Sequence, residues 1–88
     1  MREYVISHSL AKTFKKLQKK NPAVLERIFL KIEEIVKGDI DRYKNLRYSL
    51  KECKRVHIGS YVLVFTYDTE EDLITFMTYE HHDRVYER

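Results

Sequence analysis

Two runs of β-branched and aromatic residues near the end of the chain constrain its fold more than anything else in it. They are Tyr61 to Tyr67, Tyr-Val-Leu-Val-Phe-Thr-Tyr, and Leu73 to Tyr79, Leu-Ile-Thr-Phe-Met-Thr-Tyr. Residues of this kind suit a pleated, half-buried surface. The acidic stretch Asp68-Thr69-Glu70-Glu71-Asp72 between them has the length of a hairpin turn. The second run is almost continuously apolar, which places it inside a sheet rather than at an edge. Arg55 and His57 stand just before the first run, and His81, His82, Arg84 and Tyr86 just after the second. Pairing the runs brings both polar groups to one end of one sheet, where proton transfer and phosphate binding would meet.

The chain has 88 residues, enough for a single domain spanning 1–88. A chain of that length buries about 60% of its unfolded surface, so one modest core is expected. No apolar run approaches the roughly 20 residues that cross a bilayer. The opening Met-Arg-Glu-Tyr-Val-Ile-Ser is strand-like and carries no secretory apolar region. A cytoplasmic protein with no membrane partner is the expectation. Cys53 is the sole cysteine, which fits a reducing compartment. His57, four residues on, would lie about 13 Å further along a strand, too far to activate the thiol. A plain, partly buried cysteine is the simpler reading.

The net charge of +3 hides a strong segregation. Lys12, Lys15, Lys16, Lys19 and Lys20 crowd one segment, and Arg42, Lys44, Arg47, Lys51, Lys54 and Arg55 precede the closing runs. Acidic residues gather elsewhere, at Glu33 and Glu34 and at Glu70, Glu71 and Asp72. Such separation points to an anionic partner, whether nucleic acid or an acidic protein. For the first cluster alone, a solvated lysine face is the simpler reading.

Read in order, Arg2 to Ser7 is a short strand, and Ser7 or Ser9 can cap the helix that follows. In that helix Leu10, Phe14 and Leu17 form one apolar stripe opposite the lysines. Asn21-Pro22 ends it and starts the next, with Asn as cap and Pro at the first helical position. The second helix shows Leu25, Ile28, Phe29, Ile32, Ile35 and Val36 on one side, and Glu26, Arg27, Lys31, Glu33 and Glu34 on the other, stopping at Gly38. After a polar connector, Leu46, Tyr48 and Leu50 alternate with Arg47, Ser49 and Lys51 as a half-buried strand. Cys53 to Ile58 follows, turning at Gly59-Ser60 into the closing runs. The order β-α-α-β-β-β predicts an α+β fold, an antiparallel four-stranded sheet with an N-terminal helical hairpin on one face.

This order, with Arg55-Val-His-Ile-Gly-Ser-Tyr-Val-Leu-Val-Phe65 and His81-His-Asp-Arg-Val-Tyr86, resembles the RelE/ParE superfamily of toxin–antitoxin toxins over nearly the whole chain. Leu46-Arg47 in its basic setting fits as well. The resemblance implies a curved RelE-like sheet and ribosome-dependent cleavage of mRNA without a metal or cofactor. It also implies a cognate antitoxin as partner, alongside ribosome and mRNA, in a toxin–antitoxin hetero-oligomer. Residue by residue it offers His57, His81, His82, Tyr86 and Arg55 as catalytic. Arg47, Lys54, Arg84, Lys16 and Lys20 are left as RNA or phosphate contacts. The family often has an arginine directly after the tyrosine equated with Tyr61; here that position is Val62, so the phosphate contact passes to Arg84, Lys54 or Arg47.

The chemistry asks for the same residue types. Cleavage through the 2′-hydroxyl needs a base, an acid for the leaving oxygen, and cations for the crowded phosphorus. Histidine can be either proton carrier near neutral pH, arginine grips phosphate oxygens bidentately, and tyrosine stacks on bases. His81 and His82 are adjacent, so on a strand they would face opposite ways. No ligand spacing supports a metal among His57, His81, His82 and Asp83. Two other readings stand beside the nuclease: a ParE-like gyrase inhibitor that cleaves nothing, and a degenerate toxin that only binds its antitoxin.

Overall fold

The punctuation residues do what their chemistry requires. Ser7 caps the first helix, its Oγ accepting from the Leu10 amide at 3.1 Å while its hydroxyl donates to the Met77 carbonyl at 2.7 Å. One serine therefore starts helix α1 (His8–Lys20) and ties it to the sheet. Asn21 closes α1 by donating its amide to Leu17 and opens α2 (Pro22–Lys37), where its side chain accepts from Val24. At Gly38 the helix stops in extended backbone, with φ −93°, rather than in the left-handed form usual for a terminal glycine. Glycine is needed there for room, because a Cβ would lie 2.9 Å from the Glu34 carbonyl oxygen.

The computed structural model describes residues 2–40 and 53–86, the last two in backbone only. Among the described residues the sheet has four strands, β1 (Glu3–Ile6), β2 (Cys53–Ile58), β3 (Tyr61–Asp68) and β4 (Leu73–His81), in the spatial order β1-β4-β3-β2. A short helix, α3 (His82–Tyr86), follows the last strand. The strand expected at Leu46, Tyr48 and Leu50 lies outside the described residues.

One expectation about the sheet needs correcting. β2–β3 and β3–β4 are antiparallel, but β1 runs parallel to β4, so the sheet is mixed. A parallel neighbour requires a long crossover, and the two helices supply it, carrying the chain over one face before it enters β2. Alternation of apolar residues fixes which face a strand buries. It carries no information on the direction of a neighbour far away in sequence.

Helix and sheet faces meet in one core. Leu10 of α1 and Ile28, Ile32, Ile35 and Val36 of α2 pack against Ile58, Leu63, Phe65, Ile74 and Phe76. Leu25 is only partly buried and Phe29 is half exposed, held edge-on against Phe14 at 5.2 Å. The predicted apolar side of α2 is therefore wider than the part the sheet covers. β4 does lie between β1 and β3, as its composition requires.

The β2–β3 turn positions everything that follows. Gly59 has φ +65°, which suits the first position of a two-residue type II′ turn, and Ile58 pairs directly with Tyr61 across it. At the other end of the sheet Arg2 clamps the structure. Its guanidinium donates to the Gly38 carbonyl at 2.7 Å, reaches Asp72 at 3.3 Å and lies over the Tyr67 ring.

Candidate functional site

The strand registers place the polar residues in rows. Ile58, Tyr61 and His81 share one row across β2, β3 and β4; His57, Val62 and Glu80 share the next; Val56, Leu63 and Tyr79 follow, then Arg55, Val64 and Thr78. Successive rows face opposite sides. Leu63 belongs to the core under the helices, so Tyr61, Tyr79 and His81 face the helix side. Arg55, His57 and Glu80 project from the other side.

The two polar groups read from the sequence do reach the same sheet end, but they divide between its faces. His57 is exposed and Arg55 partly buried, both on β2. Glu80 lies across Val62 from His57, about 10 Å away at two strand spacings. Val62 itself is fully buried. Glu80 was not singled out in the sequence; only the β3–β4 register reveals that it shares a row with His57.

On the helix side, Tyr61 stacks on Tyr79 with centroids 4.9 Å apart and planes 15° off parallel, and presents an edge to His81 at 5.5 Å. Burial pushes the Tyr79 hydroxyl above its ordinary range, assisted by neighbouring Tyr61 and opposed by Arg27. Arg27 is the other residue that sequence reasoning missed, since helical periodicity assigns it to the solvent side of α2. Its guanidinium reaches to 4.0 Å of where a Gly59 Cβ would stand. It helps line a groove of about 310 Å³ between α2 (Arg27, Leu30, Lys31) and the hairpin (His57, Ile58, Gly59). No local signal in the sequence joins Arg27 to a glycine so distant along the chain.

Strand gives way to helix between His81 and His82, so the neighbouring imidazoles do not take opposite faces. Their centroids are 4.7 Å apart. The His82 amide donates to the Ser60 carbonyl at 3.1 Å, which fixes this junction on the β2–β3 turn. Asp83 serves both rings, with its carboxylate 3.3 Å from His82 Nε2 and 3.6 Å from His81 Nδ1. Its own amide points at His81 Nδ1, 3.3 Å away. An amide only donates, so in the neutral ring Nδ1 accepts and the proton sits on Nε2. Once protonated at Nδ1, the ring faces the Asp83 carboxylate instead. The arrangement can hold either form of His81, as a proton carrier requires.

The remaining expected contacts are scattered. Lys54 is 6% exposed, because strand parity puts it in line with Val56 and Ile58 under the helices rather than on the outward face. Arg84 is exposed on α3, and Lys16 and Lys20 are exposed on α1. Arg47 and the side chain of Tyr86 lie outside the described residues. Burial raises the Cys53 thiol above its usual range, away from the thiolate a nucleophile needs.

A Methanocaldococcus jannaschii protein bearing the toxin name RelE4 is 43% identical over 89 residues, covering 100% of this chain and 94% of its own length. The chain belongs to the RelE toxin superfamily. The same fold appears in solved structures at lower identity. In the Escherichia coli RelBE toxin–antitoxin complex the match has a TM-score of 0.76 at 20% identity, covering 92% of this chain and 96% of that one. In the archaeal RelE–RelB complex of Pyrococcus horikoshii it is 0.70 at 13%, covering 94% and 97%. No family model matches the sequence. The RelE-type fold thus carries, in this chain, an outward Arg55–His57–Glu80 face and a His81–His82–Asp83 rim. Among the described residues no helix is long and apolar enough to cross a membrane.

Proposed function

We propose that this RelE-type toxin is a ribosome-dependent mRNA endonuclease that arrests translation and is neutralised by a cognate antitoxin. The carrying observation is that Arg55 and His57 project from one sheet face at the same end that holds His82 and Asp83. His57 and one of the paired histidines, His82 or His81, serve as the proton-transferring pair, since the two rings sit together at this sheet end. Arg55 and Arg84 neutralise the phosphate, Arg47 adds a further contact, and Tyr86 stacks on a base or passes a proton. Tyr61 on Tyr79, beside Arg27, offers an aromatic surface next to the cleavage site. The lysine face of α1, Lys16 and Lys20 included, draws the complex to ribosomal RNA.

Two of the solved relatives are held by antitoxins in their complexes. A small antitoxin covering the basic sheet end is therefore the partner we infer, in a hetero-oligomer formed in the cytoplasm. The complete burial of Val62, where an arginine would have touched phosphate, favours a second reading in which the chain binds its target without cutting it.

The test adds purified toxin to translating ribosomes and maps new 5′ ends on the mRNA. His57→Ala, His82→Ala, Arg55→Ala and Tyr86→Ala are run in parallel. Codon-linked cuts that vanish in the variants support the nuclease. Growth arrest with intact mRNA and lost DNA supercoiling would transfer the protein to the gyrase-inhibitor reading.

A further inference from the structure

The sequence offers no metal-ligand spacing, yet the strand-to-helix junction after β4 creates one. In a regular strand, His81 and His82 would point apart; here the chain turns between them, and Asp83 comes back beneath both rings. Among the described residues these are the side chains that form a compact set of donors suited to a metal ion, with the ligand atoms all within 4.8 Å of one another. From this geometry we propose that His81, His82 and Asp83 form a site for a borderline divalent transition metal, with zinc the representative ion.

The spacings fit the ion. Bonds of about 2.0–2.1 Å to nitrogen and oxygen set neighbouring ligands of a tetrahedral ion about 3.3 Å apart. Asp83 Oδ1 lies 3.3 Å from His82 Nε2 and Oδ2 lies 3.6 Å from His81 Nδ1, so each carboxylate oxygen already stands near one nitrogen, and rotation of the carboxylate brings a single oxygen towards both. All three ligand atoms already lie within 4.8 Å of one another, and the rings have room to close on an ion: each histidine side chain is about 40% exposed. His82 Nδ1 is enclosed, which leaves Nε2, the atom facing Asp83, as the nitrogen offered outward. The ion would displace the 3.3 Å amide contact to His81 Nδ1, a weak bond at that length. Two imidazoles and one carboxylate select zinc, copper, nickel or cobalt over magnesium and calcium, which prefer all-oxygen shells. With three protein ligands on one side, the remaining coordination positions open to solvent.

Occupancy has a consequence that rests on the nuclease reading. An ion on His82 Nε2 takes the lone pair that proton transfer needs, so the metal would switch the toxin off rather than assist it. Binding and cleavage are therefore measured separately. Metal-stripped protein is titrated with zinc chloride by calorimetry, and with cobalt chloride by visible absorption, without ribosomes. The expected result is one ion per chain, with affinity at least tenfold weaker in His81→Ala, His82→Ala and Asp83→Asn. His8→Ala and His57→Ala should bind as the unsubstituted protein does. Circular dichroism confirms that each variant is folded, and Asp83→Asn, which keeps the side chain's shape, guards against a folding artefact. No binding below millimolar concentration, or binding unchanged in both His82→Ala and Asp83→Asn, overturns the site. If zinc binds as described but does not depress cleavage by the unsubstituted protein, the site stands and only the assigned role of His82 falls.

Discussion

Val62→Arg is the sharpest single perturbation of this protein. It installs the cation that related chains often carry after the strand tyrosine, and so should raise nuclease activity if the position were open. The structure says otherwise. Val62 has no exposed surface and sits between His57 and Glu80 in its row. Losing the buried valine removes about 1.5 kcal/mol of apolar transfer. Fitting a longer side chain into a filled space adds about 1–3 kcal/mol. Desolvating the guanidinium costs more, offset in part by Glu80 across the strand pair. A net loss of at least about 3 kcal/mol is expected. That is a large share of the roughly 4–13 kcal/mol that a domain of 88 residues carries. The melting temperature should fall by at least about 12 °C, followed by circular dichroism, with no gain in ribosome-dependent cleavage at a temperature where the variant stays folded. Val62→Ala, which leaves a void without a charge, should lose only about 2 kcal/mol. A Val62→Arg protein that melts within about 2 °C of the original and cuts faster would refute the burial argument and show that this face is open to RNA.

Ser7→Ala removes the α1 cap and the bond to Met77 together, for about 1.5–2 kcal/mol, whereas Ser7→Asp should restore the cap but not the donor; urea titration separates the two. Replacing Lys16 and Lys20 with alanine should leave stability unchanged and lower the slope of log affinity against log salt for single-stranded RNA by up to about 1.4, measured by fluorescence anisotropy. Burial raises both the Cys53 thiol and the Tyr79 hydroxyl. As pH climbs through their ordinary values, about 8.5 and about 10, the unfolded chain releases protons that the folded chain keeps. Stability from these groups is thus complete below pH 8 and declines above it, and denaturant midpoints at pH 7.5 and 10 should show the fall. Cys53→Ser should weaken the decline, and a midpoint that rises with pH would contradict the sign.

The sequence by itself determined the elements and their burial faces. Ser7, Asn21-Pro22 and Gly59-Ser60 act within a few residues of where they stand, through a cap, a preset φ or a left-handed turn, so their effects are local and readable. The stripe of Leu10, Phe14 and Leu17 and the runs of β3 and β4 likewise announce the core, because periodicity is a property of consecutive residues. The common end of Arg55, His57, His81 and His82 followed from the hairpin alone. Tertiary structure decided what depends on distant neighbours. The direction of β1 beside β4, the burial of Lys54 and Val62, the alignment of Glu80 with His57 and the approach of Arg27 to Gly59 all arise from pairings across tens of residues. The closing His81-His82-Asp83 stretch shows the division within three consecutive residues. Their identities were plain from the start, but the distance between the rings depends on where strand yields to helix, and that point is fixed by the bond from His82 to Ser60 on another turn.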